Sequence, residues 1–272
     1  MAPAMKGTLA VIAVVAAIAG GWRLLVHGSN TAPALITPQT DVHMAISGEV
    51  VPRIYRAMHN VSSTNRENRP RLIALTFDDG PYPVFTPMLL DVLHDLNVPA
   101  TFFLIGEDAQ QWPELTRRIE AGGNEIADHT YTHPNLDQES ADAVRDEILR
   151  GRDALWDLSH DPAVRSLMRP PHGRYTERTL RIAQQLGYTV VLWTDDSGDW
   201  RAQTSSRIAH HLLTNATAPE IVLLHSGKLA TIEALPSVVA RFRQAGYRFV
   251  TVGQMLKLVQ NDELNHPLRR AV

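Results

Sequence analysis

The chain has no cysteine among its 272 residues. That excludes disulfides and thiolate chemistry, but it does not fix the compartment, since exported proteins can also lack cysteine. Positive charge is not in excess either. The 26 Lys and Arg are outnumbered by 29 Asp and Glu, for a net charge of -3. A sequence pI near 6.5 gives no support to nucleic-acid binding, which draws on a basic surface. No internal repeat is visible beyond an alternation of short and long apolar segments. What remains is an ordinary apolar fraction of 44% on a chain long enough for a sizeable core.

One apolar run, residues 8–19, follows Lys6 and ends in Ala17-Ile18-Ala19, small residues at the spacing a signal peptidase reads. Extended through Trp22-Arg23-Leu24-Leu25-Val26 it reaches ~20 residues, the length a bilayer needs. Arg23 lies close enough to its end to snorkel. Residues 1–27 are therefore expected to export the protein. They would either hold it on the membrane facing outside, as an uncleaved helix, or release it after cleavage near Ala19. A buried N-terminal helix is the plain alternative. Residues 28–70, with Pro33, Pro38, Pro52 and the polar stretch 62–70, read as a linker with a short helix near 52–59.

From residue 71 the rhythm changes. Strands are expected at 72–77, 100–105, 125–127, 166–168, 189–193, 221–224 and 248–252. Helices are expected at 86–96, 113–121, 140–158, 177–186, 205–213 and 231–245, with a last one to about 259. Strands alternating with helices imply βαβ units and a parallel sheet. Seven strands suit an α/β fold of the distorted parallel (β/α)7 barrel type, closed or nearly so, over residues 71–260, with 261–272 as a tail. Asp78, Asp79, His129, Arg169, Asp196 and His225 then fall at the C-terminal ends of strands, where such barrels place their chemistry.

Each motif has an ordinary reading when taken alone. Asp78-Asp79-Gly80-Pro81 is a strand-to-turn signal, His129-x-x-x-His133 is a common pattern, and His225 after Ile-Val-Leu-Leu could be a core histidine. Together, and in this order, they describe a metal hydrolase. One Asp of an adjacent pair can bind a metal while its neighbour takes a proton. Two His four residues apart are expected on one side of a helical turn, sharing the cation with that Asp. A distant His supplies a proton donor.

The motifs Thr76-Phe-Asp-Asp-Gly-Pro81, Ala100-Thr-Phe-Phe-Leu-Ile-Gly106, His129-Thr-Tyr-Thr-His-Pro134, Arg169-Pro-Pro-His-Gly173 and Trp193-x-x-Asp196-x-x-Asp199-Trp200 resemble the NodB-homology polysaccharide deacetylases. So do Glu233-Ala-Leu-Pro236 and the Gly246–Val252 tail, and the likeness spans residues 71–259. These carbohydrate esterases remove N-acetyl groups from amino sugars. The resemblance implies that Asp79, His129 and His133 bind a divalent cation, Zn²⁺ before Co²⁺ or another ion. Asp78 is then the general base and His225 the general acid. Arg169 would pair with Asp78 and lower its pKa, and Asp199 would hold the His225 imidazole. Trp200 and Leu223 would shape the pocket for the acetyl methyl, while Trp193 and Asp195 read as scaffold.

Two positions depart from the pattern. His172 replaces the usual tyrosine, whose backbone N–H helps bind the oxyanion, and Ser226 replaces the Asp that usually follows the acid histidine. The implied substrate is an N-acetylated extracellular or cell-wall glycan, peptidoglycan before chitin oligosaccharides, acted on by a monomer. A non-catalytic glycan-binding protein on the same fold, and an amidohydrolase of a non-carbohydrate amide, are the competing expectations.

Overall fold

The structure is a computed structural model that describes residues 71–265; the expected export segment and linker lie outside them. The central strand β1 (Leu72–Asp78) is buried along its whole length, as a strand covered on both faces must be. Side chains alternate along it. Ile73, Leu75 and Phe77 join the large core cluster with helices outside the sheet, whereas Leu72 and Ala74 join a second, interior cluster. By that alternation Thr76 and Asp78 continue the interior row upward, so its lining changes from apolar to polar toward the C-terminal rim.

The remaining elements follow in order: α1 (Phe85–Leu96), β2 (Thr101–Leu104), α2 (Gly106–Gln111), α3 (Pro113–Ala121), β3 (Glu125–Asp128), α4 (Ala141–Trp156) and β4 (Leu167–Met168). After these come α5 (Glu177–Gln185), β5 (Thr189–Val190), β6 (Asp195–Asp196), α6 (Ser205–Asn215), β7 (Glu220–His225), α7 (Leu229–Gln244), β8 (Arg248–Phe249) and α8 (Val252–Asn265). Ser140 caps α4 through its side chain, accepting from the N–H of Ala143. The sheet is parallel throughout, in the order β5-β4-β3-β2-β1-β7-β6, with β8 also pairing the start of β1. Apolar residues of α8, Val252, Met255, Leu256 and Val259, belong to the interior cluster.

Four expectations are revised. The sheet is curled and open: among the described residues β5 and β6 pair with β4 and β7 but not with each other. The strand expected at 189–193 is broken because the carbonyls of Val191 and Leu192 accept from the Arg169 guanidinium, at 3.1 and 3.4 Å, instead of from a neighbouring strand. Helix α2 was not expected between the second strand and the 113–121 helix. The C-terminal helix also runs past residue 259. No helix among the described residues is long and apolar enough to cross a membrane.

Register sets the site. Asp78 stands beside His225 across β1 and β7, and Asp128 beside Met168 across β3 and β4. Consequently His129 and Arg169, one residue further on, also emerge side by side.

Candidate active site

At the end of β1 the backbone turns sharply: Asp79 and Gly80 have φ of 68° and 73°. Glycine suits the second position on two counts, since φ is positive and an added Cβ would lie 2.9 Å from Ser226 Oγ. Ser226 is buried and donates its hydroxyl to the carbonyls of Asp78 and Asp79, at 3.2 and 3.0 Å. The residue that departs from the family pattern thus braces the corner between the two carboxylates. That corner sends them in different directions, Asp78 toward Arg169 and Asp79 toward the histidines.

Asp79 Oδ1 lies 3.4 Å from His133 Nε2 and 3.8 Å from His129 Nε2. One ligand atom from each of the three residues falls within 4.8 Å of the others. Ligands held ~2.0–2.1 Å from a tetrahedral zinc sit about 3.3 Å apart, so this oxygen and these nitrogens fit a cation with little movement. His129 is prepared as a ligand. Its Nδ1 donates to the Arg169 carbonyl at 2.7 Å, which leaves the Nε2 lone pair free. Burial, against the pull of Asp79 and with the help of His133, pushes its pKa down to about 3, so the ring is neutral.

The histidines do not lie on a helical turn. Residues 129–133 form an irregular loop with Thr130 and His133 at φ of 70° and 62°. The N–H groups of residues 130–133 are taken by side chains rather than by a helical ladder, and that is the physical reason for the difference.

Arg169 is fully buried. One terminal nitrogen donates to Asp78 Oδ1 at 2.6 Å and to Thr76 Oγ1 at 2.8 Å. Its guanidinium also lies over the Phe103 ring, 4.1 Å from the centroid. Through its side chain it orients Asp78, and through its own carbonyl it orients His129. The expected direction of the Asp78 pKa is corrected. Burial raises it, and this outweighs the opposing pull of Arg169, His225 and His133.

Beside Asp78, at the end of β7, stands His225. Its Nδ1 meets Asp199 Oδ1 at 2.7 Å, while Asp199 Oδ2 accepts from the His225 N–H at 2.8 Å and the Thr231 hydroxyl at 2.6 Å. Burial alone would lower the imidazole pKa. The bond to Asp199 and the charges of Asp78, Asp199 and Asp79 raise it above 6.5.

His225 and Asp79 share a cavity of about 220 Å³ whose other walls are Tyr82, Phe85, Gly227 and Lys228. Burial, with Asp79 and Asp108 nearby, pushes the Tyr82 hydroxyl up to about 12, so it stays protonated. His172, at φ 58° in a 3₁₀ turn, packs its ring edge-on to His133, with 4.6 Å between centroids. Trp200 is 49% exposed with Arg201 stacked on it, and Leu223 is buried in β7; neither is among the cavity's wall residues. Trp193 packs where a side chain on Gly173 would lie and faces the Arg169 guanidinium at 5.6 Å, and Asp195 pairs with His211. Thr231, Tyr82, Lys228 and Thr76 were not anticipated. Only Thr76 and Tyr82 carried a signal, lying immediately beside the Asp-Asp motif.

Comparison with known proteins agrees with this geometry. The sequence profile of a family described as polysaccharide deacetylase matches residues 65–191. A peptidoglycan-N-acetylglucosamine deacetylase of Bacillus cereus is 36% identical over 195 residues, covering 70% of this chain and 90% of that protein. A chitooligosaccharide deacetylase of Sinorhizobium fredii is 36% identical over 187 residues, 69% of this chain and 83% of its own. The solved structure of peptidoglycan deacetylase PdaC from Bacillus subtilis matches with a TM-score of 0.66 at 30% identity, over 76% of this chain and 98% of that one. Identity at this level across nine-tenths of a relative, with the same parallel fold beneath it, means that the chain belongs to the polysaccharide deacetylase family of hydrolases.

Proposed function

We propose that the protein hydrolyses N-acetyl groups from the amino sugars of an extracellular or cell-wall glycan. The observation that carries this is the convergence of Asp79, His129 and His133 within 4.8 Å, with the Arg169-held Asp78 carboxylate and the Asp199-held His225 side by side on the adjoining strands. Deacetylases of this family depend on a metal, and an imidazole pair with one carboxylate suits zinc best, cobalt next. When bound there, the cation supplies Lewis acidity, making water more acidic and polarising the acetamide oxygen.

The chain's own residues do the rest. Asp78, fixed by Arg169, accepts the proton of the attacking water. His225 enters protonated, its Nδ1–H on Asp199, and gives the proton of Nε2 to the departing amine. The amide nitrogen leaves as an amine rather than an anion, which is what makes an unreactive bond cleavable. Base and acid stand on adjacent strands at one level, so both reach a single sugar. The imidazole must be charged and Asp78 ionised. The pH profile of kcat/KM should therefore be a bell whose acidic limb reports Asp78 and whose basic limb reports His225. Asp199→Asn removes the hydrogen-bonded charge that raises His225, so its basic limb should move to lower pH. An unmoved limb would refute this role for Asp199.

Peptidoglycan is favoured over chitin oligosaccharides. Several similar proteins are named for peptidoglycan N-acetylglucosamine, and one cavity wall carries an ammonium. Lys228 is half-buried and has no ion pair or side-chain hydrogen bond among the described residues. A cation there suits a glycan bearing carboxylates, as muramic acid without its stem peptide, or the stem peptide itself, does. The apolar run near the N-terminus supports placement outside the cytoplasmic membrane, anchored or released.

The test is acetate release by the zinc-loaded protein from muramic-acid-containing glycan fragments and from chitooligosaccharides. No release from any N-acetylated glycan, beside an active control deacetylase, overturns the proposal. Lys228→Ala should lower kcat/KM about tenfold on the muramic substrate, the worth of a hydrogen bond to a charge, and leave chitooligosaccharides nearly unaffected. Equal effects on both would remove the carboxylate argument.

A further inference from the structure

The loop that carries both histidines has no regular structure, yet every one of its N–H groups has an acceptor. Thr130 N–H goes to Asp128 Oδ1 at 2.8 Å, and His133 N–H to Thr130 Oγ1 at 3.2 Å. The carbonyls of Thr130 and Tyr131 are taken by the N–H groups of Gly106 and Glu107 at the start of α2, at 2.9 and 3.0 Å. The middle of the loop is held by one side chain from a distant element. Glu147 Oε2 accepts from the N–H of Tyr131 at 3.1 Å and of Thr132 at 2.8 Å, while Oε1 accepts from the Thr132 hydroxyl at 2.8 Å.

From this geometry we infer that Glu147 is a positioning residue of the metal site: its carboxylate clamps the loop between His129 and His133 and so sets the spacing of the two imidazoles. Three observations converge on it. First, three donors meet on one carboxylate, and two of them are backbone groups that no helix or strand satisfies. Second, the loop needs such a clamp. Left-handed backbone at Thr130 and His133 is disfavoured for side chains of this kind and persists only where the surroundings hold it. Third, α4 is shaped to bring Glu147 there. Gly151 lies one turn further along the same face, and a Cβ on it would stand 2.5 Å from Asp128 Oδ1 and 2.8 Å from the Thr130 carbonyl carbon. Glycine lets the helix come down onto the loop, and Glu147 spans the remaining gap.

The inference rests on the reading of His129 and His133 as metal ligands, so its test measures metal binding rather than turnover. Zinc affinity is determined by competition titration for the wild-type chain and for three variants, with the folded state of each checked by circular dichroism. Glu147→Ala should weaken zinc binding about 10- to 100-fold, the usual effect of losing a group that orients a ligand. Glu147→Gln should retain near wild-type affinity, because its amide oxygen can still take both N–H groups while the Thr132 hydroxyl turns to accept from the NH₂. Glu147→Asp keeps the charge but falls one methylene short, and should behave like the alanine variant.

That order separates position from charge. Should Asp preserve affinity and Gln lose it, Glu147 acts only by its field and the clamp is wrong. Unchanged affinity in all three also overturns the inference. If the wild type itself binds no zinc at one ion per chain, the reading of the site fails, a different result from either. Should the alanine variant not fold, the Gln and Asp pair still decides.

Discussion

Asp78→Asn is expected to lower kcat by about 10³-fold, within the range that a positioned general base supplies, while the protein still binds one metal ion. The amide keeps the shape of the carboxylate and an oxygen for the Arg169 donor now 2.6 Å away, so the rim should change little. It cannot accept the water proton, and no other carboxylate stands in the same place. Asp79 is turned toward His133 and His129, where it serves the cation. The two adjacent residues should therefore separate by experiment. Asp78→Asn loses turnover and keeps metal, whereas Asp79→Ala loses both. Elemental analysis beside a single-turnover assay reads the difference. If Asp78→Asn lost its metal, or kept turnover within tenfold of wild type, the division of labour between them would be wrong.

The meeting of these residues at one rim was legible in the sequence because its causes are local. An apolar run of strand length ending in Asp-Asp-Gly fixes where the chain emerges and how it turns, and β1, α4 and α7 lie close to where apolar periodicity places them. Residue type combined with strand-end position marks the group of residues, whereas the separate roles of ligand, base and acid come from the resemblance to the family. Features set by distant partners were not legible. The path of residues 129–133 depends on Glu147, fourteen positions away on a helix whose polar face gives no hint of the contact. The break in the fifth strand depends on Arg169 claiming two carbonyls. The direction of the Asp78 pKa depends on how completely the rim excludes water. An Arg nearby predicts a lowered value, and only the folded structure shows that burial is the larger effect.

Arg169 is where these strands of the argument meet, and its loss should be the most damaging to stability. In Arg169→Met the side chain stays long and apolar, yet Asp78 is left as a buried carboxylate without its counter-charge. Breaking a buried pair from one side costs about 3–5 kcal/mol, and Thr76 Oγ1 and the carbonyls of Val191 and Leu192 lose their donor as well. The backbone carbonyl that orients His129 remains, so metal binding should survive in whatever fraction is folded.

The pH dependence identifies the cause. Asp78 already holds its proton more tightly in the folded state than its ordinary value of 3.8 would allow. Burial favours the neutral acid, and stability therefore falls as pH rises from that value through the folded pKa. Arg169 opposes this effect. Removing it pushes the folded pKa higher still, so the variant's deficit should be largest at neutral pH and shrink as the pH falls and the carboxyl takes up its proton in both proteins. The acidic limb of any residual activity should move to higher pH for the same reason. Adding Asp78→Asn removes the stranded charge, and the double variant should recover part of the stability, with a coupling of about 1–3 kcal/mol. Urea unfolding of the four proteins at two pH values, in chelator so that no cation contributes, measures it. A deficit independent of pH, or a double variant whose losses simply add, would show that Arg169 holds the barrel by packing alone and that its pairing with the base is incidental.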